Sequence, residues 1–170
     1  METVEPFDLI LFGATGDLSL RKLLPALYRR HRAGQLATDG RIIATARSEM
    51  SREAFIERMH AALAQRVEAE ALNDADWRSF VERLVFVSVD AELPRGFEDL
   101  AECLAGREDR TRVFYLAVAP THFVPICEHL QAHGQVTRSA RVVLEKPLGH
   151  DLASAQAISE RIGAIFAEEA

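Results

Sequence analysis

Cysteine is scarce. The 170 residues hold two, Cys103 and Cys127, far apart and without C-x-x-C spacing. That excludes a disulfide-stapled scaffold and a cysteine zinc ribbon, and both residues read as buried free thiols on helices, in a reducing compartment. Long hydrophobic runs are missing too: no stretch approaches the roughly 18 apolar residues of a membrane span. The opening Met-Glu-Thr-Val-Glu lacks the basic start and apolar core of a signal peptide, so the expected location is cytoplasmic, with no membrane partner. Basic residues are outnumbered, 20 Lys and Arg against 26 Asp and Glu, for a net charge of -6. That balance argues against nucleic acid, whose phosphates need a basic face. An anionic cofactor stays open, because local donors outweigh net charge at close range. Metal-ligand spacing is also lacking. His129 and His133 are four apart, as in a zinc-binding pair, but Leu-Gln-Ala lies between them and no glutamate follows His129. They read as a solvated helix face, and no metal site is expected. His31, His60 and His122 show no partner pattern.

What is present is ordinary in bulk. With 48% hydrophobic and 27% charged residues, the chain reads as one globular domain, residues 1–170. A chain of this size buries about 70% of its unfolded surface. The informative stretch is FDLILFGATGDLSLRKLL, residues 7–24. An apolar run through Leu9, Ile10, Leu11 and Phe12 stops at Gly13, passes through Ala14, Thr15, Gly16, Asp17 and Leu18, and becomes a helical pattern. Two glycines let the backbone approach a ligand, and the first-turn amides of the helix then point at it. A helix N-terminus carries roughly half a positive charge and several unpaired donors, so an anion suits the turn, a pyrophosphate above all. The spacing is G-x-x-G-D-L, not the G-x-G-x-x-G of ordinary dinucleotide sites; a plain strand-to-helix turn is the other reading. The Asp17 carboxylate cannot hold a phosphate. It reads as a helix-start residue accepting backbone amides and shaping the loop, with Thr15 offering a hydroxyl.

Strand and helix patterns alternate along the rest of the chain. Strands are expected at 7–13, 41–46, 85–89, 112–118 and 141–145. The first helix runs to about His31, ended by Gly34, and Pro25 either bends it or opens a fresh first turn. Ser51 caps a long helix to about Leu72, with Ala54, Phe55, Met59, Ala62, Leu63 and Val67 on its inner stripe. A short helix over 75–84 carries Trp77 and Phe80 as core anchors, and further helices follow at 97–105 and 120–133, the last stopped by Gly134. Asp151 caps a final helix over 152–168, whose Leu152, Ala155, Ile158, Ile162 and Ile165 form one face. Five strands in this rhythm imply crossover connections and an α/β, doubly wound, mainly parallel sheet with helices on both faces, a Rossmann-like dinucleotide domain.

Ligands on such folds bind beyond the carboxyl ends of the strands. The second strand leads into Arg47 and Ser48, with Glu49 next. An acid there would bond a ribose 2′-hydroxyl; a basic residue suits a 2′-phosphate. Arg47 with Ser48 therefore favours NADP over NAD, by roughly 10- to 150-fold for one charge-assisted bond, unless Arg47 is a solvated surface residue or Glu49 turns inward. The fourth strand delivers the small residues Ala117, Val118, Ala119 and Pro120 to the same edge. The fifth ends in Glu145-Lys146-Pro147-Leu148-Gly149-His150. Lys146 faces the crevice there, or is an exposed turn lysine; Pro147 fixes the chain direction, and its preceding bond has the few-per-cent base rate of the cis form.

Four segments, GATGDLSLRKLLPALY (13–28), TARS (45–48), FYLAVAPTHF (114–123) and EKPLGHDLASA (145–155), resemble the glucose-6-phosphate dehydrogenase family and span the chain in order. The resemblance implies that Gly13, Ala14, Thr15, Gly16, Asp17 and Leu18 bind the NADP pyrophosphate and that Arg47 binds its 2′-phosphate. It implies that Lys146 touches both the nicotinamide side and the sugar phosphate, with Pro147 tuning coenzyme placement. The reaction implied is hydride transfer from C1 of glucose 6-phosphate to NADP, giving the 6-phosphogluconolactone. Family members also carry R-I-D-H-Y-L-G-K-E, which grips the substrate phosphate, and a later His–Asp pair that takes the C1 hydroxyl proton. Neither occurs within these 170 residues, so no catalytic base is expected in this chain, and His150 reads as part of the turn before Asp151. The subunit pairing of the resembled homo-oligomers is made by that later region, so this chain alone is expected to be monomeric or weakly self-associating. Three other readings compete with this one. A glucose–fructose oxidoreductase or inositol dehydrogenase type would also carry E-K-P, but expects G-x-G-x-x-G. A short-chain dehydrogenase needs Tyr-x-x-x-Lys, and Tyr28 and Tyr115 are followed four on by Arg32 and Ala119. A bare NADP-binding sensor or partner module is the non-enzymatic alternative.

Overall fold

Along β1 (Phe7–Phe12) the side chains divide by parity: Ile10 and Phe12 pack into one apolar cluster and Leu11 into another. The same split occurs in β2 (Arg41–Ala46), where Ile43 joins the first cluster and Ile42 and Ala44 the second. A strand with two buried faces belongs to a sheet covered on both sides, and that is the arrangement in the computed structural model, which describes residues 5–67, 72 and 74–166. With β3 (Leu84–Ser88), β4 (Thr111–Leu116) and β5 (Arg141–Leu144), the strands form one parallel sheet in the order β3-β2-β1-β4-β5. Helices α1 (Leu24–Arg32), α2 (Arg52–Ala64) and α3 (Asp74–Val81) cover one face through Tyr28, Phe55, Met59, Leu63 and Phe80. Helices α4 (Phe97–Leu104), α5 (Phe123–Ala132) and α6 (Leu152–Ile165) cover the other through Phe97, Leu100, Phe123, Ile126 and Ile162. The expected doubly wound α/β fold is the one observed. Among the described residues, no helix is long and apolar enough to cross a membrane.

Strand ends fall within a residue or two of expectation, and the helices differ more. Residues 19–23 form a single wide turn in which the Leu24 amide bonds the Ser19 carbonyl. Pro25 follows directly, with Leu23 and Leu24 already helical, so it lies inside one continuous helical run over 17–32, just behind the widened turn, and does not open a fresh helix. The Ser51 cap is present, its hydroxyl accepting from the Ala54 amide at 3.1 Å. But α2 stops at Ala64, well short of Leu72. Arg66 folds back to bond the Ala62 carbonyl at 3.0 Å, and the Arg66 and Val67 amides both turn onto Leu63 O. Residues 68–71 and 73 lie outside the described residues. Phe55, Met59, Leu63 and Val67 of the expected stripe are buried, whereas Ala54 is exposed and Ala62 is at the margin. α3 stops at Val81 and Leu84 already belongs to β3; Phe80 is fully buried against Tyr28, and Trp77 is half-buried beside it.

Asp151 caps α6 in a reciprocal pair with Ser154. Leu152 is not on the inner face: it lies in the first turn, ahead of the Ile158–Ile162–Ile165 stretch that meets the core, and is 75% exposed. His129 and His133 are not a solvated face either, since both rings pack on Phe97, with centroids 4.7 and 5.8 Å away. Of the two free cysteines, Cys127 is buried, its thiol pushed up to about 12 by burial and then by Glu128, while Cys103 is half-buried, not buried. At the amino edge of the sheet, Asp8 is fully buried and clasped by Arg41 and Arg107, each at 3.0 Å.

Candidate functional site

The carboxyl edge of the sheet changes direction between β1 and β4, because β2 and β3 lie on one side of β1 and β4 and β5 on the other. The loops after β1 and β4 diverge there and leave a crevice. Gly13 leaves β1 at φ +78, and a Cβ on it would stand 2.4 Å from the Ala117 carbonyl oxygen beyond β4. Only glycine fits that approach. The turn closes with the Gly16 amide on Gly13 O at 3.0 Å, and the Leu20 amide on Gly16 O at 3.0 Å begins the helix. The buried Ser19 hydroxyl donates to Gly13 O at 2.9 Å. Ser19 thus does the shaping expected of Asp17. The Asp17 carboxylate is 79% exposed and pairs with Arg21 one helical turn on, because Leu18 is already helical and the carboxylate points outward.

A crevice of about 250 Å³ opens beside this turn, lined by Gly13, Thr15, Arg47, Val118 and His122 together with residues 89–92. Arg47 directly follows β2 and is exposed; among the described residues its guanidinium has no hydrogen bond or ion pair. Three carboxylates stand in or beside the crevice, and all are engaged. Glu49 pairs with Arg95 at 3.2 Å, Glu92 lies 3.7 Å from the His122 ring, and Asp90 accepts the Glu92 amide at 2.9 Å. Glu49 is therefore turned to Arg95. The expected residues do not all meet in one pocket. Asp17 and Leu18 line a separate cleft with Arg21, Lys22, Arg29 and Arg66. Ser48, Ala119 and Pro120 stand on the loops beside the crevice, outside its lining, and Ala14 is buried beneath it with its amide on Thr45 O at 2.9 Å.

Lys146 and Pro147 follow β5 at the same edge, two strands from β1, about 10 Å across the sheet. Both are exposed, and the bond between them is cis. The Tyr115 hydroxyl donates to Glu145, tying β4 to the start of this turn; burial first, then the Glu145 bond and charge, raise the phenol to about 12. His150 is exposed, its amide on the Ser154 hydroxyl at 3.0 Å, in the turn where the sequence puts it. Among the described residues, no three His, Cys, Asp or Glu side chains gather as a metal site.

The profile of the family described as "Glucose-6-phosphate dehydrogenase, NAD binding domain" matches residues 10–170. The chain belongs to this glucose-6-phosphate dehydrogenase family. It is 49% identical over 169 residues to the glucose-6-phosphate 1-dehydrogenase of Mycolicibacterium smegmatis (strain ATCC 700084 / mc(2)155), covering 97% of this chain and 34% of that protein. To the enzyme of the same name from Rhizobium meliloti (strain 1021) it is 45% identical over 166 residues, covering 98% and 34%. The crystal structure of glucose-6-phosphate 1-dehydrogenase from Mycobacterium avium superposes with a TM-score of 0.88 at 32% identity, covering 98% of this chain and 35% of that one. The chain thus spans 34% of the length of these two sequence relatives. It is a coenzyme-binding domain of the glucose-6-phosphate dehydrogenase type.

Ser19, Arg95, Glu92 and His122 belong to this site without having been expected in it. Ser19 carried a signal, a hydroxyl one helical turn beyond the glycine turn. Arg95, Glu92 and His122 carried none, since their partners lie far away along the chain.

Proposed function

We propose that residues 1–170 form one coenzyme domain that binds NADP in preference to NAD, for an enzyme oxidising glucose 6-phosphate at C1 to the 6-phosphogluconolactone. The observation that carries the reading is Arg47: a guanidinium at the end of β2, without a partner among the described residues, on the wall of the crevice that Gly13 keeps open. The residues suit the coenzyme. The glycine turn leaves no Cβ between the strand ends, and the first-turn amides offer donors to a pyrophosphate. Arg47, with Ser48 beside it, offers charge-assisted bonds to a 2′-phosphate. Thr15 lines the same crevice. The bound coenzyme supplies a hydride acceptor. Lys146, at the end of β5, acts as a positioning cation for the reactive end of the coenzyme and for the sugar phosphate, and the Tyr115–Glu145 bond holds the strand end that carries it.

That these relatives are glucose-6-phosphate 1-dehydrogenases supports the substrate, glucose 6-phosphate. The 170-residue chain is expected to bind coenzyme without turning substrate over. The later His–Asp pair that the family resemblance implies as the base is not among these 170 residues, and such a base is worth about 10²- to 10⁴-fold. The test pairs equilibrium binding of NADP with a turnover assay on the purified chain. Saturable NADP binding without NADPH formation is the expected result. Robust NADPH formation would show that the chain carries its own base, and absence of NADP binding would remove the reading.

A further inference from the structure

The loop after β2 carries a cation and an anion two residues apart, Arg47 and Glu49, both exposed. Paired with each other, the two would take from the crevice the guanidinium that has no partner among the described residues. A second loop prevents this. Residues 89–96 follow β3 and lie alongside, and Arg95 reaches across with both terminal nitrogens. Nη1 pairs with the Glu49 carboxylate at 3.2 Å, and Nη2 donates to the Arg47 carbonyl at 3.4 Å. The Ser88 hydroxyl donates to the same carbonyl at 3.4 Å. The approach of the loops is built in. Gly96 has φ +86, and a Cβ there would stand 1.9 Å from Ser88 O, so only glycine lets the chain carry Arg95 this close to β3. The Arg95 carbonyl accepts the Asp90 amide at 3.1 Å, which closes the loop around it.

We propose that Arg95 is a positioning residue that sharpens coenzyme specificity: by holding the Glu49 carboxylate, it keeps the Arg47 guanidinium free for a phosphate on the adenosine ribose. The proposal rests on the NADP reading above and adds to it a residue outside the crevice. Arg95 acts on the phosphate-bearing coenzyme alone, because NAD presents nothing to Arg47. Its effect is modest, since exposed ion pairs contribute little and are screened by salt.

The test is the ratio of NAD to NADP dissociation constants for the 170-residue chain at low salt. Arg95→Ala is expected to lower NADP affinity by about two- to fivefold with NAD affinity unchanged, which also shows that the variant folds. Adding Glu49→Gln to Arg95→Ala restores the ratio, because the released carboxylate is what does the harm. High salt erases the difference between Arg95→Ala and the parent. A ratio unmoved by Arg95→Ala, while Arg47→Ala collapses it, would overturn the proposal and leave the NADP reading standing. A double variant as weak as Arg95→Ala would also overturn it, by making Arg95 a direct phosphate ligand. A ratio unmoved by Arg47→Ala would overturn both.

Discussion

Asp8→Asn swaps oxygen for nitrogen at a fully buried carboxylate and leaves two guanidiniums without their anion. Arg41 donates to both oxygens of Asp8 at 3.0 Å, and Arg107 does so at 3.0 Å from Nε and Nη2. Removing one partner of a buried ion pair costs about 3–5 kcal/mol. Here the lower end applies, because each arginine keeps a second acceptor, Cys103 O for Arg41 at 3.1 Å and Asp39 O for Arg107 at 2.9 Å. The two arginine side chains are also 25% and 23% exposed, so water reaches them. The expected loss is about 3 kcal/mol at pH 7, or roughly 6–12 °C in Tm for a chain of this size. The pH dependence follows. Burial alone would raise the Asp8 pKa, but the bonds and charges of Arg41 and Arg107 outweigh it and hold the carboxyl below its ordinary value. A depressed folded-state pKa gives stability that is present above the unfolded value of about 3.9 and is lost as pH falls through the folded one. Urea unfolding of parent and variant at pH 7 and pH 3 is the assay. The gap should be wide at pH 7 and narrow in acid. A variant within about 1 kcal/mol of the parent at pH 7, or a gap that ignores pH, would refute the reasoning.

Two further outcomes are expected. Gly13→Ala combines a positive φ with a Cβ 2.4 Å from Ala117 O; it should destabilise the fold by about 2–4 kcal/mol and abolish coenzyme binding, read by urea titration and calorimetry. His31 accepts from Arg83 at Nδ1 and meets the Ser79 hydroxyl at Nε2, and burial followed by the Arg83 charge lowers its pKa. Its contribution to stability is therefore present above about pH 6.5 and lost as pH falls towards the folded value; a histidine NMR titration in which His31 protonates at or above the free-imidazole range would refute this.

Much of the fold was legible because its signals are local. An apolar run ending on Gly13 and a glycine three residues on mark a strand, a turn and a helix start, and the caps at Ser51 and Asp151 can be read from single residues followed by helical spacing. The sheet itself followed from alternation of the two patterns. What escaped depends on contacts between distant residues. The clasp on Asp8 joins residues 33 and 99 positions away, and Arg95 meets Glu49 across 46. Periodicity reports which helix face is apolar, not what lies opposite it. That is why His129 and His133 read as solvated while Phe97 covers them, and why Leu152 read as inner while the first turn of α6 leaves it exposed. Asp17 fits a helix start in sequence; one helical residue more or fewer decides whether its carboxylate turns inward, and Ser19 took that place.

On the proposed reading, Arg47 makes this crevice an NADP site. Isothermal titration of NADP and NAD into the parent chain and Arg47→Ala tests it most directly. The substitution should weaken NADP by roughly 10- to 150-fold and leave NAD within about twofold. Equal losses for the two coenzymes, or none for either, would contradict it.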